Sequence, residues 1–576
     1  MNLLFNFLSI SPAEQDAAYI IQRLRSALPP ADDFFCRYVP GGLQAWCRCE
    51  DGGATGSGNC RNFVYNHGEE DCGSLRSWQT FRRFTLRVQP GPAGGFVLAV
   101  SYDGQGYILR TSIRELLCHH PDTRIFRMAV CRGVISTWPS RPADDRYDAE
   151  EQFPLLNPAL ARWLGMPFPG ERKDSLQSMK ASIRWFIETH CSSSSFLEAI
   201  PHTGLLEVAD PSLCGYFPAP QLLFGRGGLH TSHAEGLQLY GPAIMPPGIH
   251  FQCFFICFEQ DVPAAGIFRG RLQGAGGICN LVRLPMTCNS ALNIVLEPGP
   301  DVQSQAARKL RCLSLDPEVQ YVAFYIHPRS FGGPYSSSRR LYGQLKELLQ
   351  RLQVVLVGVD QDQPARGGNG AVTALAVRLV TGLGGYPWLV AGAGESDLVA
   401  GVAGCRYTGL PVAAACYTGN GTFLGADFTR EADTPSVGGF IMEMFEKREG
   451  FRRIVIHYLD QSYPGSHELP EWFPGKLYKG IPVVGIGISR HPAGSLLLPD
   501  GSSMPSPGTW ARTGRSDWLL VTPPGTNGSS LPLNLHITCS TPGYLGQEGV
   551  VSGLLKQVHG FCYLRRGAWP VSLRRV

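Results

Sequence analysis

Residues 384–388 read Gly-Gly-Tyr-Pro-Trp, and residues 397–406 read Asp-Leu-Val-Ala-Gly-Val-Ala-Gly-Cys-Arg. The nearly continuous apolar run in the second segment predicts a strand buried on both faces. A further apolar run at 410–417 leads into the turn Thr-Gly-Asn-Gly. Residues 452–460 read Arg-Arg-Ile-Val-Ile-His-Tyr-Leu-Asp, which predicts another buried strand. Several buried strands joined by turn residues indicate an α/β domain with a central sheet.

Upstream of this region, apolar segments alternate with helical patterns. Residues 250–258 and 321–327 predict strands, and residues 341–352 predict an amphipathic helix. A strand at 354–359 and a helix at 371–380 continue the alternation. Strands that alternate with helices in this way are typical of a doubly wound α/β domain.

The first part of the chain has a different pattern. Residues 13–28 predict a helix, and residues 36–78 are rich in Gly and Cys. Two alternating segments, 81–88 and 96–102, are joined by a connection rich in Gly and Pro at 89–95, which predicts a β-hairpin. We therefore expect a β-rich N-terminal region.

The order of the later motifs resembles the MID and PIWI domains of prokaryotic Argonaute proteins, over about residues 220–576. The resemblance implies a catalytically inactive protein of the short or truncated type. The expected fold class is α/β, with a Rossmann-like MID domain and an RNase H-like PIWI domain after the β-rich region. The corresponding divisions are 1–140 (N-terminal region, similar to reduced N and linker domains), 141–220 (linker and helices), 221–383 (MID-like) and 384–576 (PIWI-like).

The bulk composition indicates a folded chain of several domains but no obvious ligand. The chain has 576 residues, is 44% hydrophobic and 17% charged, and carries a net charge of only +4. This charge alone does not indicate nucleic acid. The basic residues are mostly Arg, which contacts phosphate in a bidentate manner, although codon usage in a GC-rich genome explains that preference equally well.

The cysteine pattern favours a reducing compartment. The 18 Cys residues have no secretory spacing, and no apolar run is long enough to span a membrane. We therefore expect a cytoplasmic protein. One cluster has residue types that bind zinc but lacks a standard spacing, so free thiols are favoured and a zinc site remains open: Cys47, Cys49, Cys60, His67 and Cys72.

In Argonautes, the MID domain anchors the 5′-phosphate of a guide strand. The resemblance implies that Tyr342 and Lys346, one helical turn apart, form the start of this pocket and that Gln353 follows. The position of a further Lys is Gly382, and Arg378 could replace that cation. From spacing alone, an exposed Lys on an amphipathic helix with a Tyr packed at its edge is the better explanation, and it is the resemblance that favours the pocket.

The resemblance also implies contacts at the C-terminus. The terminal carboxylate of Val576 would share a divalent ion, Mg²⁺ or Mn²⁺, with the guide phosphate, although a frayed tail is the alternative. Cations interleaved with aromatic residues are expected to contact the nucleic-acid backbone, or else to form a solvated basic end: Arg565, Arg566, Arg574 and Arg575.

The cleavage centre is expected to be degenerate. Two-metal hydrolysis requires converging carboxylates, and active PIWI domains carry the first on the strand where this sequence has Ala403. In active members the next Asp lies two residues after a His. Here Asp460 lies three residues after His457, one position further along, and neither Asp397 nor His536 is expected to substitute. We therefore predict no catalytic residues, no metal ligands and no enzymatic activity in this domain.

The resulting functional prediction is guide-directed nucleic-acid binding without cleavage. The partners would be a small guide RNA or DNA, a complementary target and a separate effector protein, in defence against invading DNA or RNA. Two alternatives remain open at this point. One is an active guided nuclease with rearranged metal ligands, and the other is a protein-interaction scaffold with a PIWI fold.

Overall fold

The structure is a computed structural model, and its description covers most of the chain. The described residues are 3–10, 16–30, 34–39, 42–48, 78–92, 95–119, 125–138, 152–165, 168, 176–208, 212–248, 250–274, 277–328, 336–360, 369–394, 396–403, 412–429, 434–459, 480–489, 496–497, 505–523 and 532–564.

The N-terminal region is a long sheet with helices on one face. Its strands are β1 (Leu3–Ile10), β2 (Phe34–Val39), β3 (Gly42–Arg48), β4 (Trp78–Pro90), β5 (Phe96–Leu109), β6 (Met128–Cys131), β7 (Val134–Thr137), β8 (Gln152–Pro154) and β9 (His202–Val208). Its helices are α1 (Ala17–Ala27), α2 (Ile113–His119), α3 (Pro158–Trp163), α4 (Leu176–Phe186) and α5 (Ser194–Ala199), with a π-helix at Ile187–Cys191.

The predicted hairpin is present as the pair β4–β5, and Leu86 faces Val100 across it. The strands on either side follow the order β1-β5-β4-β3-β2-β7-β6-β8, and β9 pairs with β1. Alternate residues point to α1 and α4, where the ring of Phe84 stacks on that of Phe186 with centroids 4.4 Å apart. The period-two alternation in the sequence is therefore the signature of a sheet covered on that face.

The described residues between 212 and 390 contain the strands of the MID-like sheet and several short strands that pair outside it. They are β10 (Cys214–Tyr216), β11 (Leu222–Leu223), β12 (Leu229–His230), β13 (Phe251–Phe258), β14 (Met286–Cys288), β15 (Ile294–Leu296), β16 (Gln320–His327), β17 (Val355–Asp360) and β18 (Leu389–Val390). The helices are α6 (His233–Tyr240), α7 (Val262–Gln273), α8 (Ile278–Leu281), α9 (Val302–Arg311), α10 (Ser336–Arg351) and α11 (Asn369–Gly382).

The MID-like sheet is parallel, in the order β14-β13-β16-β17, with β15 also paired to β13. Successive residues of β13 enter different cores. Phe255 packs with α7 and α11 on one face, and Phe254 packs with α9 and α10 on the other. This burial on both faces explains the uninterrupted apolar run and confirms the predicted α/β fold class.

The PIWI-like region follows. Its strands are β19 (Asp397–Ala403), β20 (Val412–Thr418), β21 (Phe423–Thr429), β22 (Arg453–Leu459), β23 (Val483–Ser489), β24 (Leu496–Leu497), β25 (Thr509–Arg512), β26 (Asp517–Val521) and β27 (Pro532–Cys539). Its helices are α12 (Thr434–Glu446) and α13 (Val550–Leu564).

The PIWI-like sheet has the order β10-β25-β26-β27-β23-β22-β19-β20-β21. The central strands β19, β22 and β23 run parallel, and the flanking pairs are antiparallel. Helix α12 covers one face, where Ile441 meets Ile456, and α13 covers the other, where Phe561 belongs to the same core as Val455. Both strands predicted at 397–406 and 452–460 are therefore central.

Strand pairing links the N-terminal region to the PIWI-like region. β24 pairs with β1, and β10 pairs with β25. An apolar cluster joins the two sheets, with Phe7, Val97 and Ala99 on one side and Cys214, Ala511, Leu519 and Val521 on the other. Residues 214–216, assigned to the linker from the sequence, thus belong to the PIWI-like sheet.

An ion pair fixes the first residues of β19 and β22, which are direct register partners. The guanidinium of Arg453 donates to both carboxylate oxygens of Asp397, with an Nε–Oδ1 distance of 3.1 Å. Gln557 of α13 donates to Oδ2 of Asp397 at 2.8 Å. The Asp397 and Arg453 side chains are 11% and 16% exposed, so the pair is largely removed from solvent.

None of the described helices has the length and apolarity needed to cross a membrane.

Replacing Asp397 by Ala would leave the Arg453 charge buried without its carboxylate. We expect the free energy of unfolding to fall by about 3–5 kcal/mol, because the desolvation cost of Arg453 is no longer offset. The matched control is Glu443→Ala, which breaks the exposed pair with Lys447 on α12 and should cost at most about 1 kcal/mol. Urea unfolding followed by tryptophan fluorescence measures both, and equal midpoints for the two variants would contradict the role assigned to the pair.

Candidate functional site

The carboxyl edge of the MID-like sheet forms a candidate binding site. In parallel α/β sheets, ligands bind beyond the carboxyl ends of the strands. β16 ends at His327 and β17 at Asp360, and these two residues are register partners. Because α10 follows β16 and α11 follows β17 along the chain, both helices begin at this same edge.

Aromatic rings and a cation meet at this edge. The ring of Tyr342, on α10, lies 5.3 Å from that of His327 and 6.1 Å from that of Tyr325. Arg378, on α11, is exposed and donates to the carbonyl oxygen of Gly358 at 3.4 Å. A Cβ at Gly358 would lie 2.6 Å from Nε2 of His327, so glycine lets the rings approach the strand.

The environment sets the charges of these groups. Burial lowers the pKa of His327; Asp360 opposes this effect and Arg378 adds to it. Burial raises the pKa of Tyr342, against the influence of Arg378 and a backbone hydrogen bond at Gly358. At neutral pH the site therefore has a neutral imidazole, a protonated phenol and the guanidinium cation of Arg378, with the carboxylate of Asp360 beside His327. Neutral aromatic groups beside a cation suit a ligand with a planar ring and an anionic group.

The structure places the predicted pocket residues at different ends of the sheet. Lys346 lies on α10 one turn beyond Tyr342 and is exposed. Gln353 lies between the end of α10 and the start of β17, with a left-handed φ of 58°. It lines a cavity of about 680 Å³ together with Asp316 and Gly382.

Strand β17 therefore separates Gln353 from Tyr342. The span from Val355 to Asp360 is about 17 Å at 3.3 Å per residue. The structure brings Tyr342 and Arg378 together and does not bring Gln353 to them. It adds His327, which sequence reasoning missed. The available signal was its position as a polar residue at the end of a buried parallel strand.

The C-terminal residues predicted to contact nucleic acid lie outside the described part of the chain: Arg565, Arg566, Arg574, Arg575 and Val576. Hydrogen bonds hold the end of α13, just before these residues. The carbonyl oxygen of Tyr563 accepts from Nε2 of His233 at 2.9 Å and from Nε1 of Trp388 at 3.4 Å. The predicted 384–388 motif thus anchors the end of α13.

At the edge of the PIWI-like sheet where the resemblance implies a metal site, strand β19 ends in an alanine. Ala403 is the last residue of β19, is buried and faces Ala413 of β20. β22 runs parallel to β19 and ends at Leu459, and the predicted degenerate position Asp460 lies outside the described residues. The methyl group of Ala403 cannot ligate a metal.

Neither of the other acid or imidazole positions considered from the sequence is near Ala403. Asp397 is at the opposite end of β19, bound to Arg453. His536 is on β27, and its register partners on the next three strands are Gly487, Tyr458 and Val402. His536 is therefore about 14 Å from Val402, the neighbour of Ala403, at 4.8 Å per strand. Its Nδ1 contacts the carboxylate of Asp517 at 2.7 Å.

Within the residues described, no three His, Cys, Asp or Glu side chains gather as metal ligands. Of the cluster considered for zinc, Cys47 is buried in β3, on the face covered by α1 and α4. Cys49, Cys60, His67 and Cys72 lie outside the described residues. The zinc hypothesis therefore stays untested.

Comparison with known structures identifies the fold. The chain has the fold of Argonaute and Piwi proteins. It is similar to Drosophila Piwi (TM-score 0.63, 12% identity, covering 97% of this chain and 81% of that one). It is also similar to Marinitoga piezophila Argonaute in complex with 5′ OH guide RNA (TM-score 0.60, 9% identity, 94% and 80%). A third match is A. aeolicus Argonaute (TM-score 0.55, 13% identity, 99% and 93%).

No protein-family profile matches the sequence, and no curated protein matches it. The similarity is therefore one of three-dimensional structure at very low sequence identity. It confirms the predicted combination of MID-like and PIWI-like folds.

A histidine on the α13 face of the PIWI-like sheet should make stability depend on pH. Burial lowers the pKa of His457 to about 4, and its Nε2 has no hydrogen-bond partner among the described residues. The unfolded chain, with a pKa of about 6.5, takes up the proton first as the pH falls. The stability contributed by the neutral ring is thus complete above pH 6.5 and declines towards pH 4, by about 2 kcal/mol at pH 5.

The variant His457→Gln removes this titration. Urea titrations measure the free energy of unfolding at pH 7 and at pH 5. We expect the decrease between the two pH values to be smaller in the variant than in the wild type, and the difference between the two decreases to be about 2 kcal/mol. The control His250→Gln, at an exposed position, should keep the wild-type pH dependence. Identical pH dependence in wild type and His457→Gln would contradict the burial of a neutral imidazole.

Proposed function

We propose that this protein binds a short guide nucleic acid by its 5′ end and uses it to recognise complementary strands without cleaving them. The observation that carries the proposal is the Argonaute–Piwi fold combined with Tyr342, His327 and Arg378 at the carboxyl edge of the MID-like sheet. Matching structures were solved with guide RNA, with guide DNA, and with guide RNA and target DNA.

The chemistry of the edge supports a role for Tyr342 and Arg378 at the guide terminus. A terminal base can stack on an aromatic ring, and a guanidinium can bind a phosphate through charge-assisted hydrogen bonds. Lys346, one turn away on the same helix, remains a candidate for a further phosphate contact. Gln353 is not included, because it lies at the opposite edge of the sheet.

A divalent ion at the guide phosphate remains part of the proposal. Mg²⁺ and Mn²⁺ prefer oxygen ligands, and the ion would neutralise phosphate charge. Asp360 is a carboxylate at this edge. It fits partial coordination of such an ion, with further oxygen ligands contributed by the phosphate.

The proposal of no cleavage rests on Ala403. Two-metal hydrolysis needs several carboxylates on ions about 4 Å apart, and the central strand ends in a methyl group where a ligand would be required. We extend the proposal to a cytoplasmic protein that acts with a separate effector in defence against invading nucleic acid. The described cysteines are all free thiols, which suits a reducing compartment.

Target recognition would then be delegated to base pairing. Protein groups that contact phosphates position a strand but carry no sequence information, as in other guided systems. The basic C-terminal segment, Arg565, Arg566, Arg574 and Arg575, is the proposed backbone-contacting surface.

Binding of labelled single strands of about 20 nucleotides tests the guide site. We expect 5′-phosphorylated RNA or DNA to bind more tightly than the 5′-hydroxyl form, and Arg378→Ala to weaken binding of the phosphorylated strand at least about 10-fold, since one charge-assisted contact is lost. Lys346→Ala tests the adjacent cation. The matched control is Arg351→Ala on the same domain, whose exposed side chain pairs with Glu347 at the far end of α10.

A wild-type protein that binds both 5′ forms equally, with no effect of Arg378→Ala, would overturn the proposed anchoring site. Purification from cells without any associated nucleic acid, together with weak binding to every strand, would favour a protein-interaction scaffold instead.

A cleavage assay tests the second half of the proposal. Protein loaded with a guide should retain a complementary target intact in Mg²⁺ and in Mn²⁺, because Ala403 supplies no ligand. Gel-shift of the same sample controls for loading. A discrete target product that depends on the guide would identify an active nuclease with rearranged ligands.

A further inference from the structure

Two cysteine thiols face each other in the MID-like sheet, away from the proposed guide site. Cys253 of β13 and Cys288 of β14 are direct register partners in a parallel strand pair. Their Sγ atoms are 3.1 Å apart, and both are free thiols. Cys253 is fully buried, and Cys288 is partly exposed.

The backbone geometry permits a disulfide between them. Adjacent strands are about 4.8 Å apart, which falls within the Cα–Cα range of about 4.4–6.8 Å that disulfides span. The sulfur atoms would need to approach by about 1 Å to reach a bond length near 2.05 Å. Rotation about χ1 can supply a movement of this size, so no rearrangement of the sheet is required.

The two thiols are also chemically unequal. A hydrogen bond from Cys253 and the nearby charge of Arg269 lower the pKa of Cys288, against the opposing effect of burial. The same hydrogen bond, together with burial, raises the pKa of Cys253. Cys288 is therefore the accessible sulfur with more thiolate character, and Cys253 is a protonated partner behind it. A nucleophilic thiol with a second thiol next to it is the arrangement found in reversible thiol oxidation.

We propose that Cys253 and Cys288 form a peroxide-reactive dithiol that closes to a reversible disulfide. The Cys288 sulfur attacks a hydroperoxide, the O–O bond breaks, and a sulfenic acid and one molecule of water or alcohol form. The Cys253 sulfur then attacks the sulfenic sulfur, the S–O bond breaks, and a second water leaves as the S–S bond forms. The two thiols lose two electrons and two protons, and the peroxide accepts them.

Transient disulfides of this kind are the form expected in a reducing compartment, where stable structural disulfides are rare. The bond would link the last residue of β14 to the third residue of β13. Cys279, on α8, is a further thiol near this pair; burial, and to a smaller extent the charge of Cys288, raises its pKa to about 11. It is therefore a weaker partner for Cys288 than Cys253.

Treatment of the full-length protein with hydrogen peroxide, followed by peptide mapping without reduction, tests the proposal. We expect a linked peptide pair containing Cys253 and Cys288 at low peroxide excess, and its disappearance after dithiothreitol. In the variant Cys253→Ser, Cys288 should instead accumulate as a sulfenic acid that dimedone traps. The matched control Cys312→Ser removes an exposed thiol on the end of α9 and should leave the linked peptide unchanged.

The wild-type measurement requires no variant to fold, and no nucleic acid is used, so the result is independent of the proposed function. A link between Cys279 and Cys288, oxidation confined to Cys312, or equal reactivity of Cys288 in wild type and Cys253→Ser without a linked peptide would each overturn the proposal.

Discussion

Apolar packing around α13 is the interaction on which the rest of the structure depends. Leu554, Val558 and Phe561 belong to one core that includes Val455 of the PIWI-like sheet and Trp388 at the MID-like boundary. Polar contacts fix the middle and the end of the same helix: Gln557 donates to Asp397, and the Tyr563 carbonyl oxygen accepts from His233 and Trp388. Because these directional hydrogen bonds act together with a continuous apolar core, α13 packs in one defined position between the MID-like and PIWI-like regions.

Much of this fold could be predicted from the sequence because its central strands are buried on both faces. Strands β13, β19 and β22 appear as nearly continuous apolar runs, and α10 shows helical spacing of Leu341, Leu345 and Leu349. The strands β10 and β24 could not be found in this way. They contain only two or three residues, too few to show a period, and their pairing joins segments far apart in the chain.

The candidate site was predictable only in part. Helical spacing places Tyr342 and Lys346 on one face of α10, but the location of Gln353 depends on where the helix ends and the next strand starts. The family resemblance therefore linked residues that the strand separates. His327 and Gly358 meet Tyr342 through the register of β16 and β17, which no local pattern encodes. Only the family resemblance gives Ala403 a significance, because an alanine in a buried strand does not by itself indicate a function.

The exchange of short strands between the two ends of the chain constrains how this architecture can be divided or evolve. β1 receives an edge strand from beyond residue 490, and β25 receives one from residues 214–216. Each large sheet is thus completed by a donor from the opposite half of the polypeptide. A cut at residue 220 would strip an edge from the PIWI-like sheet and uncover the apolar side chains around Leu519 and Val521. The chain up to residue 216 is therefore an integral part of the molecule, and loss or replacement of this region in a related chain would require a new edge for the PIWI-like sheet.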